Sequence, residues 1–447
     1  MSARESVGTG ITCASIRDIG ISDILLHNDS ESAFCITFMP VRTFLDAMDM
    51  ESLRKDFPTI RNSDGIYFDN ACQTLKPDCV IEAVLRYYNE FPACGGRSVH
   101  SMATKVSMAV DESREKAAEF FGCDDPDCFA FTKNCTEGMN IVARGFGLRK
   151  GDTVLTTDVE HNSNHVQWIE MQEQVGIKRR YCRTSREGVF DIEEFKRTVS
   201  KDVKLVSVGH VSNVTGCAVP LKEIVEISHD LGIPVLADGA QAAPHMRIDL
   251  NDLDVDFYSL SLHKMLAPSG VGLFYGKMDL LKKLRPLMGG GGIVGLTTYD
   301  SIKLSPPPER FEAGLSNYSG IVGVKPALEY LQRVGMDNIR EHEFRLQKAV
   351  QKATEDIKGL SIVGPEDPKL RGGVFSFNIA GLNSHDIAMM VDNMAHVMIR
   401  SGMHCAHPYF VSRKIDGSAR ASFYLYNDEK EIAKFAETLR KISEMFA

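Results

Sequence analysis

Long apolar runs are missing from this sequence of 447 residues. No run reaches the roughly 18 apolar residues that a membrane-spanning helix needs, so no such helix is expected. An excess of basic charge is missing too, because 51 Lys and Arg residues stand against 60 Asp and Glu, giving a formal net charge of −9. Proteins that bind nucleic acid usually present a basic face. Membrane and nucleic-acid partners are therefore not expected.

A cysteine framework is also missing, although the chain holds eleven cysteines. An odd number of scattered cysteines in a long chain is typical of a reducing compartment, where thiols stay free. We therefore expect a cytoplasmic protein. Cys123 and Cys128 are close in sequence, but no second cysteine or histidine pair follows at the spacing of a zinc site. No metal site is expected.

The length and the average composition, with 43% hydrophobic and 25% charged residues, fit a globular protein of two domains. Internal repeats and low-complexity tracts are not apparent. Residues 1–47 lack helix and strand periodicity, and they resemble neither a secretory signal nor an acid-poor transit peptide. We expect them to form an irregular N-terminal extension, with Met48 or Met50 as the functional start.

Strands and helices alternate along the next part of the chain. The predicted strands are 127–132, 153–156, a strand near 180, 204–208, 233–237, 257–260 and 271–275. Such alternation implies a mostly parallel sheet with helices on both faces, an α/β fold. We assign residues 48–318 to a large domain of this kind, and residues 48–65 are candidates for packing on the second domain.

The pattern changes near the carboxyl end of this domain. An irregular segment rich in Gly and Pro covers 289–308 and has few helix signals. Beyond it we predict helices at 321–333, 337–357 and 385–393, strands at 374–379, 396–399 and 419–426, and a strongly amphipathic final helix. These elements predict a smaller α+β domain at 319–447.

Polar side chains follow the predicted strands of the large domain. They are His161, Asn213, Asp238, Gln241, Ser261, His263 and Lys264. In parallel sheets, ligands bind outside the carboxyl ends of the strands. Lys264 is the leading candidate, because a lysine desolvated in a pocket becomes a usable nucleophile near neutral pH. The alternative is a lysine that caps a strand and points to water.

An Asp at one strand end and a Ser-x-His-Lys at the next suit pyridoxal phosphate. Lys264 would bond to the cofactor aldehyde. Asp238 would keep the ring nitrogen protonated, so that the ring acts as an electron sink. His161 could stack on the ring face.

Five further side chains suit the polar groups of that cofactor. Ser261, His263 and Thr136 could hold the phosphate. Thr136 stands at a helix start, where amides and the helix dipole favour an anion, and its alternative role is a plain N-cap. Asn213 and Gln241 could donate hydrogen bonds to the ring hydroxyl.

Nine motifs carry a resemblance to a known family. They are YFDNACQTLKP (67–77), TKNCTEGMNIVARG (132–145), EHNSNHVQW (160–168), HVSNVTG (210–216), ADGAQAAPH (237–245), SLHKMLAPSGVG (261–272), RFEAG (310–314), RSGMHCAHP (400–408) and RASFYLYN (420–427). The chain resembles pyridoxal-phosphate enzymes of fold type I with the class V aminotransferase fold. Within that class it is similar to the group II cysteine desulfurases, which include selenocysteine-lyase-like members, from about residue 51 to its end.

The resemblance implies a homodimeric cysteine desulfurase. Lys264 and Asp238 keep the roles given above, and Arg420 with Arg400 would bind the substrate carboxylate. Cys405 would take the sulfur of L-cysteine as a persulfide, release L-alanine and pass the sulfur to an acceptor protein. Iron–sulfur cluster assembly or other sulfur metabolism would use that sulfur.

Cys405 lies on a short loop between Arg400 and the histidines His404 and His407. Positive charge there would lower the pKa of its thiol and expose a thiolate. The alternative for any single cysteine is a small buried hydrophobe. Selenocysteine lyase, another enzyme of the same fold, and a non-catalytic sulfur-transfer scaffold stay open as alternative functions.

Three positions depart from the family pattern. Leu315-Ser316 stands where the family usually has a threonine that reaches the phosphate of the neighbouring subunit. Gly96 replaces a frequent histidine, and Cys135 replaces a common threonine beside Thr136.

Overall fold

A computed structural model gives the structure of the protein and describes residues 50–446. The predicted extension at 1–47 lies outside the described residues. The strands in chain order are β1 (Ile66–Tyr67), β2 (Phe129–Thr132), β3 (Thr153–Thr157), β4 (Lys178–Cys182), β5 (Val203–Gly209), β6 (Val235–Asp238), β7 (Phe257–Ser261), β8 (Gly272–Gly276), β9 (Val294–Thr297), β10 (Ile302–Leu304), β11 (Leu360–Ile362), β12 (Val374–Ile379), β13 (Val397–Met398), β14 (Arg400–Gly402) and β15 (Ser418–Ser422).

The helices are numbered in the same way. They are α1 (Met50–Arg54), α2 (Pro58–Arg61), α3 (Asp78–Glu90), α4 (Ser101–Phe120), α5 (Cys135–Gly145), α6 (Val166–Val175), α7 (Ile192–Thr198), α8 (Leu221–Asp230), α9 (Leu250–Leu253), α10 (Met278–Leu281), α11 (Tyr318–Ile321), α12 (Val324–Val334), α13 (Met336–Thr354), α14 (Ser384–Ala395), α15 (His407–Arg413) and α16 (Glu429–Met445). Within this part of the chain, none of them combines the length and the hydropathy of a membrane span.

A seven-stranded sheet forms the centre, in the order β2-β8-β7-β6-β5-β3-β4. Its strands pair in parallel except β8, which is antiparallel to both β2 and β7 because it follows β7 after a short turn. Every residue of β3, β6 and β7 is buried, as expected for a sheet covered by helices on both faces. The predicted α/β fold with a mostly parallel sheet is confirmed.

A second, antiparallel sheet has the order β11-β12-β15-β14. Helices α13, α14 and α16 pack against its strands or one another. The apolar stripe predicted for the last helix is buried in this core through Ile432, Phe435, Leu439 and Ile442. The domain boundary near residue 318 stays a prediction.

The segment that contains β1 belongs to the core of the second sheet. β1 pairs in parallel with β13, and Phe68 packs edge-on against Phe423 and Phe435. Asp69 forms an isolated bridge with Ser422 of β15. The chain therefore leaves this core just before residues 70–77, which lie beside the site described below.

Some predicted element bounds were wrong, whereas the predicted strand 396–399 is present as the shorter strand β13. The predicted strand 419–426 ends at Ser422, because the Asn427 side chain accepts a hydrogen bond from Tyr424 N at 2.9 Å and turns the chain. The irregular segment 289–308 contains the hairpin β9–β10, whose pairing periodicity alone did not reveal.

Candidate active site

A cavity of about 200 Å³ lies at the carboxyl ends of strands β3, β5, β6 and β7. Residues of β14, β15 and the loop after β14 form part of its wall. All the predicted site residues line it: Thr136, His161, Asn213, Asp238, Gln241, Ser261, His263, Lys264, Arg400, Cys405 and Arg420. The structure therefore brings residues from nearly 300 positions of sequence into one space.

Lys264 ends a single 3-10 turn, Leu262–Lys264, that directly follows β7. It lines the cavity, so it does not cap the strand toward open water. Burial lowers the pKa of its amine, and the nearby carboxylate of Asp238 opposes that shift. The carbonyl of His263 accepts from Thr74 N at 3.2 Å and from Lys76 Nζ at 2.8 Å. These contacts fix the backbone immediately before Lys264.

Asp238 is the last residue of β6 and is 7% exposed. Its Oδ1 atom accepts from Ala240 N at 3.0 Å and lies 3.1 Å from Cys135 Sγ. The Cys135 thiol has one proton and a second acceptor, Ser259 O, at 3.2 Å. Oδ2 of Asp238 has no hydrogen-bond donor within residues 50–446, which leaves it available to a protonated ring nitrogen.

The amino end of α5 forms another part of the wall. Asn134 caps this helix by accepting from Glu137 N at 3.2 Å, so the plain N-cap alternative for Thr136 was wrong. Cys135 N donates to Ser261 Oγ at 2.9 Å, which ties the helix start to the end of β7. Thr136 is exposed in the first turn, where the helix dipole favours an anion.

The two histidines of the site are neutral at pH 7. Burial lowers the pKa of His161 to about 4, and burial with the charge of Lys264 lowers the pKa of His263 to about 4. His161 Nδ1 accepts from Ser163 N at 3.1 Å, which orients the ring. A neutral, oriented imidazole suits stacking on an aromatic face, and a neutral His263 can still donate one hydrogen bond.

The two amides of the site already use one donor each. Asn213 Nδ2 donates to His404 O at 2.7 Å, and Gln241 Nε2 donates to Ala71 O at 2.7 Å. Each NH₂ group has a second hydrogen for a ligand. Gln241 Oε1 is buried and has no partner among the described residues, so the cavity contains a polar atom that a ligand would satisfy.

Two arginines stand side by side at the opposite wall. Arg420 of β15 is the register partner of Arg400 of β14, and it is only 2% exposed. It donates to Asn213 O at 3.0 Å and to Asp69 Oδ1 at 3.2 Å, whereas its Nε has no partner in the described part of the chain. Burial lowers the pKa of Arg420 and raises that of Asp69. Two adjacent guanidinium groups with one carboxylate leave positive charge for a substrate carboxylate.

Cys405 lies on the loop between β14 and α15 and is half-buried. His404 and Cys405 both have left-handed backbone, with φ of 48° and 57°. Such conformations cost non-glycine residues about 1–3 kcal/mol each and persist only where neighbours hold them. Here Asn162 N donates to Cys405 O at 2.6 Å, and Asn213 holds the preceding carbonyl.

The expectation that His404 contributes positive charge at Cys405 was wrong. His404 is 4% exposed, and burial together with Arg420 and Arg400 lowers its pKa to about 2. Its Nε2 lies 3.0 Å from the carbonyl of Ser418, which can only accept, so Nε2 carries the proton. Nδ1 is then a buried acceptor without a partner among residues 50–446. The positive charge near this loop belongs to the two arginines.

Several cavity contacts were missed in the sequence. Asp69 pairs with Arg420, and Cys72 Sγ lies 2.8 Å from Arg400 Nη1. Glu160 is buried behind His161, and burial raises the pKa of its carboxyl to about 7. A carboxylate three residues after the end of β3 was the available signal for Glu160, whereas the two arginine contacts join distant segments and had none.

The residues of the cavity fit pyridoxal phosphate. The start of α5 suits the phosphate, the free carboxylate oxygen of Asp238 suits a ring N–H, and the buried Gln241 Oε1 is an acceptor without a partner among the described residues. Lys264 supplies an amine whose pKa is lowered by burial. Together these groups match the charge and the hydrogen-bonding atoms of that cofactor.

Comparison with known proteins gives consistent relationships. The model of the family "Aminotransferase class-V" matches residues 66–435. A cysteine desulfurase of Haloferax volcanii is 33% identical over 420 residues, which cover 90% of this chain and 98% of that protein.

Solved structures agree in fold. The apo structure of a cysteine desulfurase from Thermococcus onnurineus NA1 superposes with a TM-score of 0.85 at 34% identity, covering 88% of this chain and 98% of that one. A lysine-to-alanine variant of the protein C-DES, with glycine covalently linked to its PLP cofactor, has a TM-score of 0.76 at 23% identity, covering 87% of this chain and 98% of that one. The second likeness shows the shared fold only. The chain belongs to the aminotransferase class-V family and, within it, to the cysteine desulfurases.

Proposed function

We propose that this protein uses pyridoxal phosphate to convert L-cysteine to L-alanine, with Cys405 holding the released sulfur as a persulfide. The observation that carries the proposal is one cavity lined by Lys264, Asp238, Arg420 and Cys405. An amine, a ring-nitrogen partner, a carboxylate-binding group and a thiol are the four functions that this reaction needs.

Lys264 would hold the cofactor, Asp238 would bind its ring nitrogen, and Thr136, Ser261 and His263 would hold its phosphate. His161 would stack on the ring face, and the second hydrogens of Asn213 and Gln241 would serve the ring hydroxyl. When bound, pyridoxal phosphate withdraws electrons from the Cα of an attached amino acid. The chain itself must therefore bind the substrate, move the Cα proton and receive the sulfur.

Arg420 and Arg400 bind the substrate carboxylate, which displaces Asp69 as the partner of Arg420. A planar guanidinium matches a carboxylate in two parallel hydrogen bonds. This anchor fixes the substrate at one end. Lys264 then removes the Cα proton, a role supported by its place in the cavity and by burial, which lowers the pKa of its amine.

Cys405 attacks the substrate sulfur as a thiolate. A bond forms between Cys405 Sγ and that sulfur, the Cβ–S bond of the substrate breaks, and its electron pair remains on the carbon skeleton, which takes up a proton and leaves as alanine. Asn162 and Asn213 hold the left-handed backbone at His404 and Cys405, and Cys405 lines the cavity. The persulfide sulfur then passes to an acceptor protein.

A second copy of the chain is the expected partner in the assembled enzyme. The β9–β10 hairpin exposes Leu296 (59%) and Ile302 (67%), and Leu315 nearby in sequence is 74% exposed. The strand register puts Leu296 and Ile302 on opposite faces of the hairpin, so both faces offer an apolar side chain to a partner. We assign the hairpin to the homodimer interface that the resemblance implies.

The compartment and the use of the sulfur follow from the same account. The nine described cysteines are all free thiols, as expected in a reducing cytoplasm. A persulfide needs a reductant or an acceptor thiol to complete turnover. Iron–sulfur cluster assembly is one pathway that consumes sulfur in this form.

The experiment is to incubate the holoenzyme with L-cysteine and to measure alanine and sulfide, with and without a thiol reductant. We expect equal amounts of alanine and sulfide with reductant. The variant Cys405→Ala should form both alanine and sulfide more slowly than the wild type. Wild-type turnover in Cys405→Ala would exclude the persulfide route, and absence of alanine from the wild type would exclude the desulfurase activity.

A further inference from the structure

The segment from Asp69 to Cys72 lies directly against the two arginines of the cavity. Asp69 Oδ1 lies 3.2 Å from Arg420, and Cys72 Sγ lies 2.8 Å from Arg400 Nη1. Arg400 and Arg420 are register partners on neighbouring strands. The carboxylate of Asp69 therefore contacts one of these two guanidinium groups, and the thiol of Cys72 contacts the other.

Cys72 and Cys405 are two half-buried thiols in one cavity. Cysteines that react by thiol exchange sit in electropositive, partly exposed surroundings, and a guanidinium contact provides such surroundings at Cys72. Cys405 lies five residues after Arg400 on the loop that follows β14. Arg400, which contacts Cys72, is thus also the first residue of the strand that precedes the Cys405 loop.

The same wall contains an unsatisfied polar atom. His404 is 4% exposed and lines the cavity, and its Nδ1 acceptor has no partner among the described residues. A persulfide S–H is a hydrogen-bond donor, which an acceptor at this position would satisfy. The lining of the cavity therefore offers an acceptor to a sulfur species in addition to the guanidinium groups that suit a carboxylate.

We propose that Cys72 is a second sulfur-carrying residue, which receives the persulfide sulfur from Cys405. This inference rests on the proposed desulfurase function. The Cys72 thiolate attacks the outer sulfur of the Cys405 persulfide, a new S–S bond forms at Cys72, and the bond to Cys405 Sγ breaks. Cys405 leaves as a thiolate and the proton stays with the transferred sulfur. Sulfur moves between equivalent thiols, so no oxidant or reductant is consumed.

The consequence is that Cys405 can react again before an acceptor arrives. Each sulfur retained by the chain corresponds to one alanine released. Without acceptor or reductant, the wild type should therefore hold about two transferable sulfur atoms per chain, one on each thiol, instead of about one.

Two variants separate this role from a purely positioning one. Cys72→Ala removes the acceptor for Arg400 together with the thiol, whereas Cys72→Ser keeps a hydrogen-bond acceptor for Arg400 but cannot hold sulfur. If Cys72 only positioned Arg400, the serine variant would retain sulfur as the wild type does, and the alanine variant would chiefly raise KM for cysteine. Cys79→Ser is the matched control, because Cys79 is an exposed cysteine on α3 outside the cavity.

The test supplies anaerobic holoenzyme with a small excess of L-cysteine, traps thiols by alkylation, and measures alanine together with the mass of each cysteine-containing peptide. We expect persulfide on both Cys72 and Cys405 in the wild type and in Cys79→Ser. Cys72→Ser should retain about twofold less sulfur, all of it on Cys405. Cys405→Ser should leave Cys72 unmodified, because loading passes through Cys405.

Three results would overturn the inference: persulfide on Cys405 alone in the wild type, equal sulfur retention in Cys72→Ser, or a persulfide on Cys72 in Cys405→Ser. Each of these leaves alanine formation by the wild type in place. A wild type that forms no alanine, or carries no persulfide on Cys405, would instead contradict the proposed function. The two failures are therefore distinguishable.

Discussion

Replacing Arg420 with alanine tests the substrate-binding wall of the cavity. The guanidinium is 2% exposed and donates to Asn213 O and to Asp69 Oδ1. In the proposed complex the hydrogen bond to Asp69 is exchanged for a pair of hydrogen bonds to the substrate carboxylate. Arg420→Ala removes that pair and leaves Asp69 without its ionic partner.

The size of the effect follows from the net change in hydrogen bonding on substrate binding. A hydrogen bond to a charged group contributes about 1.5–3 kcal/mol, and exchanging the bond to Asp69 for two bonds to the substrate gains one such bond. Screening by water is weak because the arginine is buried. Since about 1.4 kcal/mol is a factor of ten, kcat/KM for cysteine should fall by about 10–10². Arg420→Lys keeps the charge without the fork and should lie between the wild type and the alanine variant.

The assay is the initial rate of alanine formation over a range of cysteine concentrations. Arg440→Ala is the control, since that arginine forms a surface pair with Asp356 and should leave kcat/KM unchanged. Thermal unfolding monitored by circular dichroism identifies a variant that has lost its fold. A folded Arg420→Ala enzyme with wild-type kcat/KM would refute the assignment of this arginine to the substrate carboxylate, and Arg420→Lys carries the test if the alanine variant unfolds.

Three further outcomes are expected. Lys264→Ala should lose the visible absorption of the lysine-bound cofactor and all alanine formation, whereas a variant that keeps both would contradict its role. His210 is buried and its pKa is lowered to about 4, so the free energy of unfolding should fall as the pH drops from about 6.5 to about 4, since only the unfolded chain takes up this proton in that window. Urea titrations of the wild type and His210→Gln should show a smaller fall in the variant, and identical pH dependence would contradict this. A double change of Leu296 and Ile302 to aspartate should convert a dimer to a monomer, as measured by light scattering. The control Leu370→Asp, at another exposed leucine, should leave the mass unchanged. An unchanged mass in the double variant would exclude the hairpin as the interface.

The strand-end residues of the site could be predicted because their signal is local. Lys264 and Asp238 each follow a short apolar run, and a parallel sheet brings such positions to one edge. The structure places both in the cavity. Periodicity and topology together were sufficient for the fold class and for this half of the site.

The other half depends on contacts between distant segments. Cys72 and Arg400 are 328 positions apart, and Asp69 and Arg420 are 351 positions apart. No local pattern encodes such pairs, because they arise only when β1 joins the core of the second sheet. Charge state was also misjudged at His404, since its neutral form follows from burial that the sequence does not reveal.

The central claim is that Cys405 takes the sulfur of the substrate, and a single-turnover experiment tests it most directly. One equivalent of L-cysteine is added to the anaerobic holoenzyme, and intact protein and peptides are weighed after alkylation. Cys217→Ser is the control, because Cys217 also lines the cavity. The account predicts one alanine per transferred sulfur, with the added sulfur first on Cys405 in the wild type and the control, and no protein-bound sulfur in Cys405→Ser. Alanine released at the wild-type rate by Cys405→Ser, with sulfide free in solution, would contradict it.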